Sequence, residues 1–272
     1  MMMRFLKSRE AILTGALIAL IVLVESRFSG FAAPRNLASV FNDTSILMIL
    51  ALGQMLVILT RCIDLSVASN LALTGMVTAM LNAAYPGLPV ASLLLVAVLL
   101  GLVMGAFNGI LVWKLDIPPI VVTLGTLTIF RGMVFLISVG EWVNSHEMSA
   151  AYKAFPRQVI LGLPVLSWIG LAVVAGFVVL VTRTPLGRAF YAVGGNPHAA
   201  VYTGIDVGRT RFAAFAISGG LAGLCGYLWV SRYAVAYVDV AGGFELDVIV
   251  GTPALMPPSI HPSGTAYAWM PP

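Results

Sequence analysis

Apolar residues fall into long runs along the chain, separated by short polar stretches. A helix needs about 20 mostly apolar residues to cross the hydrocarbon core of a bilayer. Seven segments approach or reach that length, and an eighth run begins at residues 244–250 and does not continue. The seven segments are residues 11–26, 43–60, 65–84, 89–113, 117–138, 159–182 and 212–230. The pattern predicts an all-α fold, a polytopic bundle of transmembrane helices with about seven complete spans and an interrupted eighth.

The composition supports the same class. Of the 272 residues 60% are apolar and only 10% are charged, whereas about 25% of residues are charged in a typical soluble domain. If the N-terminus is cytoplasmic, more of the Lys and Arg residues lie on the inner side of the membrane than on the outer side. The loop at 183–211, on the inner side, carries Arg183, Arg188, Arg209 and Arg211. Because cytoplasmic loops of membrane proteins are enriched in Lys and Arg, we expect this loop inside and residues 139–158 outside.

Residue types that perform catalysis are sparse. Cys62 and Cys225 are far apart and lack the spacing of a metal or redox motif. The chain has no phosphate-binding GxxxxGK[ST] loop, and its predicted spans contain no histidine and almost no acidic residues. We therefore expect no catalytic residues, no cofactor, no metal and no nucleic-acid partner. If the protein transports a solute, the energy for transport must come from a partner.

The predicted third span carries a polar stripe. Its members recur every four residues, so each is rotated about 40° from the last and the set winds slowly along one face. Lipid penalises such a face, which leaves hydrogen bonding between helices or the lining of a polar path. We extend the candidate substrate path to three polar residues on the next two spans. The candidates are Ser66, Asn70, Thr74, Thr78, Asn82, Asn108, Thr123 and Thr126.

Three further local patterns lie in or beside the spans. Small residues four apart allow close helix packing, and they occur as Gly101-xxx-Gly105-xxx-Gly109 and Gly219-xxx-Gly223. At the start of the third span, Asp64 is expected to act as the N-cap, with Arg61 beside it as a possible ion-pair partner. In the outer segment 139–158 a short interfacial helix is expected, with Trp142 and Tyr152 at the headgroup level.

The inner loop is rich in residues that form turns and cap helices. Residues 184–187 read TPLG, and residues 194–197 read GGNP. Asn196 can cap a short helix at residues 198–203 with Pro197 in its first turn, before Gly204. A solvated connector would not need this much turn chemistry, so the loop predicts an exposed helix that docks a partner protein.

Five short sequence motifs lie along the chain's apolar segments and inner loop: IDLSV at 63–67, FNG at 107–109, IPPIVVTLGT at 117–126, RTPLGR at 183–188 and GGNP at 194–197. Together they resemble the transmembrane permease subunits of bacterial ABC sugar importers, the ribose, xylose and arabinose group. The resemblance covers about residues 10–249. Arg61-Cys62 stands where that family usually has two glycines, and this variant, with Glu141-Trp142-Val143, is similar to the rhamnose importer branch.

The resemblance implies a multi-pass protein of the bacterial inner membrane that imports rhamnose or a related monosaccharide. A second permease subunit, identical or different, would complete the pathway in the lipid, and a periplasmic sugar-binding protein would deliver the solute. Cytoplasmic ATP-binding subunits would engage the inner loop and hydrolyse ATP. The coupling residues implied are Gly187, Arg188, Gly194, Gly195, Asn196, Pro197, Ala199, Ala200 and Gly204.

The chain departs from this family near its end. Members continue to somewhat over three hundred residues, whereas six of the fifteen prolines here fall within residues 253–272, and proline at that density cannot continue a spanning helix. The expectation is an incomplete permease domain at 1–249 and a disordered, non-family tail at 250–272, produced by a truncated reading frame. A secondary transporter and an inactive membrane fragment remain alternative interpretations.

Overall fold

The computed structural model describes residues 9–255, with side chains described at residues 15–16 and 18–253. The predicted tail therefore lies outside the described residues from 256 onward. Helices dominate the described part, with one short antiparallel hairpin. The α-helices are α1 (Arg9–Arg27), α2 (Pro34–Leu59), α3 (Val67–Ala84), α4 (Val90–Lys114), α5 (Pro119–Ser138), α6 (Ala150–Ala154), α7 (Val165–Arg183), α8 (Pro185–Gly195), α9 (Pro197–Tyr202), α10 (Val207–Tyr233) and α11 (Phe244–Gly251).

Six of these helices, α2, α3, α4, α5, α7 and α10, are long and apolar enough to cross a membrane. The all-α, polytopic prediction is confirmed, with α11 as the short eighth run. The first predicted span is also helical, but α1 carries Arg9, Glu10, Glu25 and Arg27 and is not among the six. The expected seven complete spans are therefore six in the described part of the chain.

Most helix bounds lie close to the predicted ones, and the differences have local causes. Helix α10 begins at Val207 instead of residue 212 because the Asp206 side chain accepts a hydrogen bond from Arg209 N at 2.9 Å. Helix α7 begins at Val165 instead of residue 159. The preceding residues form the hairpin of β1 (Val159–Ile160) and β2 (Leu163–Pro164), which turns at Leu161 and Gly162 with positive φ.

The chain divides into two compact units between Thr44 and Ser45. In the first unit, the Glu25 carboxylate accepts hydrogen bonds from the backbone N–H groups of Gly30 (2.8 Å) and Ala32 (2.7 Å), which fixes the turn after α1. The second unit contains α3 to α11 together with the C-terminal part of α2.

Helices α4 and α10 form the most extensive helix contact of the second unit. A methyl group on Gly101 would lie 2.3 Å from Gly219 O, and one on Gly105 would lie 2.2 Å from Phe215 O. On the other helix, a methyl group on Gly223 would lie 2.1 Å from Ala97 O. The predicted close approach at the glycine motifs is confirmed, and it involves backbone against backbone.

The contacts define two ends of this unit. At one end, which we call the inner end, the C-terminus of α8 packs against the end of α2 and against Arg61 directly after it, and α9 follows α8. At the other, the outer end, an isolated β-bridge joins Val143 to Ala236. There α6 packs against α3 and α10 through its N-cap Ser149 and its buried Tyr152.

The short outer helix is confirmed, but the interfacial position of Tyr152 is wrong. Tyr152 is fully buried, its hydroxyl lies 3.1 Å from Thr78 Oγ1, and its ring packs edge-on against Tyr227. Burial raises the pKa of this phenol well above its usual range. Trp142, in contrast, is 56% exposed.

The glycine contact generates a stability prediction. Gly105→Ala places a methyl group against a carbonyl oxygen that cannot move without its helix, so we expect a loss of about 1–3 kcal/mol of stability. Gly132→Ala on α5 is the matched control, because a methyl group there meets nothing within 4 Å and alanine favours the helix by about 0.5–1 kcal/mol. Thermal unfolding of the purified chain in detergent measures both, and equal melting temperatures would contradict the prediction.

Candidate functional site

All eight predicted path residues lie inside the helix bundle, each with at most 2% of its surface exposed. Their hydrogen bonds sort them into an inner, a middle and an outer group along α3. The inner group is Ser66, Asn108 and Thr123, the middle group is Asn70, Thr74 and Thr126, and the outer group is Thr78 and Asn82.

The inner group surrounds a buried carboxylate. Asp64 Oδ1 accepts hydrogen bonds from Ser66 N at 2.9 Å and from Ser66 Oγ at 2.7 Å. Asn108 Nδ2 donates to the same Ser66 hydroxyl at 2.8 Å, and Thr123 Oγ1 donates to Ile63 O at 3.3 Å. Residues of α4 and α5 are thus bound to the segment that precedes α3.

The expected N-cap role of Asp64 is wrong. Ser66 occupies the N-cap position of α3, and its side chain makes no capping hydrogen bond to the helix. Asp64 stands two residues earlier and binds Ser66 itself. In the amide orientation that satisfies both groups, Gln54 pairs with the Asp64 backbone, donating to its O at 3.3 Å and accepting from its N at 3.2 Å. The carboxylate therefore organises the approach to α3 and not its first turn.

In the middle group, Asn70 lies at the glycine contact. Asn70 Nδ2 donates to Gly101 O at 3.2 Å and to Gly219 O at 3.4 Å, so one amide joins α3 to both α4 and α10. The Thr74 and Thr126 hydroxyl groups donate hydrogen bonds to backbone carbonyl groups of their own helices. Within the described part of the chain, four buried side-chain polar atoms have no hydrogen-bond partner: Arg211 Nε, and the three acceptors Asn70 Oδ1, Asn108 Oδ1 and Ser218 Oγ.

The outer group fastens the outer loop. Asn82 and Ser149 exchange two hydrogen bonds, Asn82 Nδ2 to Ser149 Oγ at 3.0 Å and Ser149 N to Asn82 Oδ1 at 2.8 Å. Thr78 contacts Tyr152 as described above. In this conformation the whole stripe is enclosed by neighbouring helices and hydrogen-bonds between or along them, while its role as a substrate path remains a prediction.

The predicted inner-loop helix is confirmed as α9, with Asn196 Oδ1 accepting from Ala199 N at 3.1 Å and Pro197 at the first helical position. Sequence analysis missed α8, which was interpreted as two turns. Its start signal was nevertheless present, since Thr184 Oγ1 accepts from Gly187 N at 3.0 Å and Pro185 follows at the first position. Burial of Phe190 and Val193 then holds the glycine-rich helix in place.

The nine predicted coupling residues lie on α8, on α9, at Asn196 between the two helices, or at Gly204, two residues after α9 ends. Two of them mark contacts with other helices. A methyl group on Gly187 would lie 2.3 Å from Leu180 O of α7, and one on Gly194 would lie 2.0 Å from Leu59 O of α2. Gly187 and Ala200 are buried, Gly194 and Pro197 are half-buried, and Arg188, Gly195, Asn196, Ala199 and Gly204 are exposed.

Sequence analysis did not identify the exposed apolar tip of α9. Val201 is 58% exposed and Tyr202 is 92% exposed. The available signal was their position at the end of a capped helix, just before Gly204, which has a φ of +82°. A large aromatic side chain projecting from a loop is typical of a protein contact surface.

Arg61 binds the inner loop and not Asp64, so the expected ion pair is wrong. Its Nε donates to Gly194 O and its Nη2 to Gly195 O, both at 2.7 Å. Its backbone has a φ of +60°, and the bonds from Arg61 N to Ile58 O and from Cys62 N to Val57 O complete a Schellman cap on α2. Glycine is favoured at that position, because the left-handed conformation costs other residues about 1–2 kcal/mol.

The chain matches the family described as branched-chain amino acid transport system / permease component over residues 36–252. It is 36% identical to the autoinducer 2 import system permease protein LsrC of Salmonella typhi, across 91% of this chain and 71% of that protein. The LsrC protein of Escherichia coli (strain K12 / DH10B) is 35% identical, with coverage of 91% and 72%. The chain belongs to this permease family. No solved structure matches it significantly.

As a permease of this family, the chain is a subunit of an ABC importer in the bacterial inner membrane. It is a transport component and not an enzyme. The resemblance to ABC importer permeases noted from the sequence is confirmed, and the family assignment favours an ATP-driven importer over a secondary transporter.

The buried carboxylate of this permease gives a second prediction. Desolvation raises the pKa of Asp64, outweighing the two hydrogen bonds from Ser66. Since the folded-state pKa lies above the unfolded value, the folded state binds the proton more tightly. Stability is therefore highest below the unfolded pKa and falls as the pH rises toward the folded pKa. Asp64→Asn removes the charge and keeps an acceptor oxygen, so its stability should lack this pH dependence.

Asp64→Leu is the matched variant. It leaves the Ser66 N–H and hydroxyl without their acceptor and should lose about 1–3 kcal/mol. Melting temperatures of the three proteins in detergent between pH 5 and pH 8 measure both effects. An Asp64→Asn protein as unstable as Asp64→Leu at every pH would show that the ionised carboxylate is required.

Proposed function

We propose that this permease subunit carries a polar solute of monosaccharide size, and that the α8–α9 loop transmits the work of cytoplasmic ATP-binding subunits. The observation that carries the proposal is the conjunction of family membership with a two-helix inner loop packed directly on the spanning helices α2 and α7. Neither feature alone would identify a coupling element.

The contact surface for the ATP-binding subunits is the exposed tip of α9, with Val201 and Tyr202 at its centre. Aromatic residues are enriched at protein interfaces and among the side chains that dominate binding energy. Ala200 of the same helix is buried, and the preceding helix α8 contacts α7 at Gly187 and α2 at Gly194. A push on α9 would therefore reach the inner ends of α2 and α7 through α8.

The eight polar residues are proposed to line the path once the helices separate. In the present conformation they are enclosed, so solute passage requires α3 to move relative to α4 and α5. Such a change is what ATP binding can drive, if the ATP-bound subunits prefer one arrangement of the permease. The unpaired Asn70 Oδ1, Asn108 Oδ1 and Ser218 Oγ supply acceptors for hydroxyl groups of the solute.

A periplasmic binding protein is proposed to dock at the outer end. This surface consists of α6 and of the outer residues Val143 and Ala236, which form a β-bridge. Hydrogen bonds to Thr78 and Asn82 connect α6 and its N-cap to the polar stripe. A second permease subunit, identical or different, would complete the pathway. The proposed domain consists of the family-matched helices, which end near Thr252.

Two solutes are candidates. The first candidate is rhamnose or a related monosaccharide, because the Arg61-Cys62 and Glu141-Trp142-Val143 motifs resemble those of the rhamnose importer branch. The second candidate is autoinducer 2, because the relatives that match across 91% of this chain are named for autoinducer 2 import.

Uptake distinguishes the candidates. The chain should restore uptake in one of two strains, one lacking its rhamnose permease and given labelled rhamnose, the other lacking LsrC and given autoinducer 2. A Gly105→Ala chain serves as the misfolding control. Failure in both strains by a chain that reaches the membrane would support the inactive-fragment alternative.

The docking surface generates a third prediction. Tyr202→Glu should reduce co-purification with the importer's ATP-binding subunit by about tenfold or more, because Tyr is enriched among hot-spot residues, whose loss costs about 2 kcal/mol or more. Tyr85→Glu is the matched control, since Tyr85 is 63% exposed at the opposite end of α3. Equal retention of the ATP-binding subunit by both variants would exclude α9 as the contact.

A further inference from the structure

The segment at residues 60–66, which we call the α2–α3 junction, touches the inner loop at two points. The Arg61 guanidinium donates to Gly194 O and Gly195 O, the last carbonyl groups of α8. Carbonyl groups at a helix C-terminus lack donors from the helix itself, and Pro197 has no N–H to offer. Arg61 therefore supplies both hydrogen bonds and a positive charge where the helix dipole is negative.

The second contact is steric. Leu59, at the end of α2, places its carbonyl oxygen where a side chain on residue 194 would otherwise lie, 2.0 Å from the expected Cβ position. The end of α8 can therefore approach α2 only because Gly194 has no side chain. The Arg61 side chain and the Leu59 backbone therefore both hold the α8–α9 turn close to the junction.

The same junction binds the inner polar group. Ile63 O accepts from Thr123 of α5, Asp64 accepts from Ser66, and Ser66 accepts from Asn108 of α4. Only two residues, Cys62 and Ile63, stand between Arg61 and Asp64. A displacement of the α8–α9 turn that drags Arg61 must therefore strain bonds to α3, α4 and α5.

We propose that Arg61 is a positioning residue that transmits movement of the α8–α9 loop to the inner end of the polar stripe. The transmission role rests on the proposed coupling function. The hydrogen bonds from Arg61 to the end of α8, which we call the tether, do not depend on it. The left-handed backbone of Arg61 supports the assignment, because a glycine would fit the Schellman cap better and only the arginine side chain can reach the loop.

The test separates the tether from the cap. Arg61→Gly removes the guanidinium and suits the left-handed backbone, so α2 should remain capped. Arg61→Lys keeps the charge but offers a single ammonium in place of the two-pronged donor. Arg183→Ala is the control, an exposed arginine at the same end of the bundle.

The first readout is hydrogen exchange of the purified full chain in detergent. Amides of residues 185–202 should exchange about three- to tenfold faster in Arg61→Gly, with an intermediate effect in Arg61→Lys and none in Arg183→Ala. Unchanged exchange in Arg61→Gly would overturn the tether, and this result does not depend on transport.

The second readout is the number of ATP molecules hydrolysed per solute imported by the reconstituted importer. Arg61→Gly should raise this ratio about threefold or more while hydrolysis continues, and Arg61→Lys should restore part of the coupling. Faster exchange with an unchanged ratio would overturn the transmission role. If the wild-type importer moves no solute, the proposed function fails and the transmission role with it, while hydrogen exchange alone decides whether the tether exists.

Discussion

The contact between the backbones of α4 and α10 is the constraint on which the rest of the bundle depends. Lipid tails are as apolar as leucine side chains, so spanning helices gain little by simply hiding apolar surface from them. What holds them together is close packing and hydrogen bonding, and both need the short distance that Gly101, Gly105 and Gly219 permit. Asn70 can reach carbonyl groups on two other helices only because those glycines bring the helices together.

Polar side chains act as fasteners at three levels of the same helix. At the inner end Ser66 and Asn108 are tied to Asp64, in the middle Asn70 joins three helices, and at the outer end Asn82 secures Ser149. A permease must both pack and open, and hydrogen-bonding groups suit that requirement. They can exchange protein partners for solute or water at a modest net cost, whereas an apolar contact offers the solute nothing.

Sequence patterns predicted most of the helices, the small-residue contacts and the Asn196 cap, because each depends on residues near one another in the chain. They failed where a side chain chose a distant partner. Asp64 and Arg61 are three residues apart and of opposite charge, yet Arg61 bonds to carbonyl groups more than 130 positions away. Tyr152 has the amphipathic character of an interfacial residue, but a hydroxyl on α3 and a ring on α10 enclose it.

The sequence by itself determined that this is a bundle of apolar helices and that its inner loop carries a capped helix, since composition, hydrophobic run length and local capping require no knowledge of neighbours. The tertiary structure decided which polar groups meet. It paired the stripe with α4, α5 and the outer loop, formed α8 by burying Phe190, and brought Arg61 to the end of that helix. The reason is that buried hydrogen-bonding groups must find partners, and only the folded arrangement of helices determines which partners lie within reach.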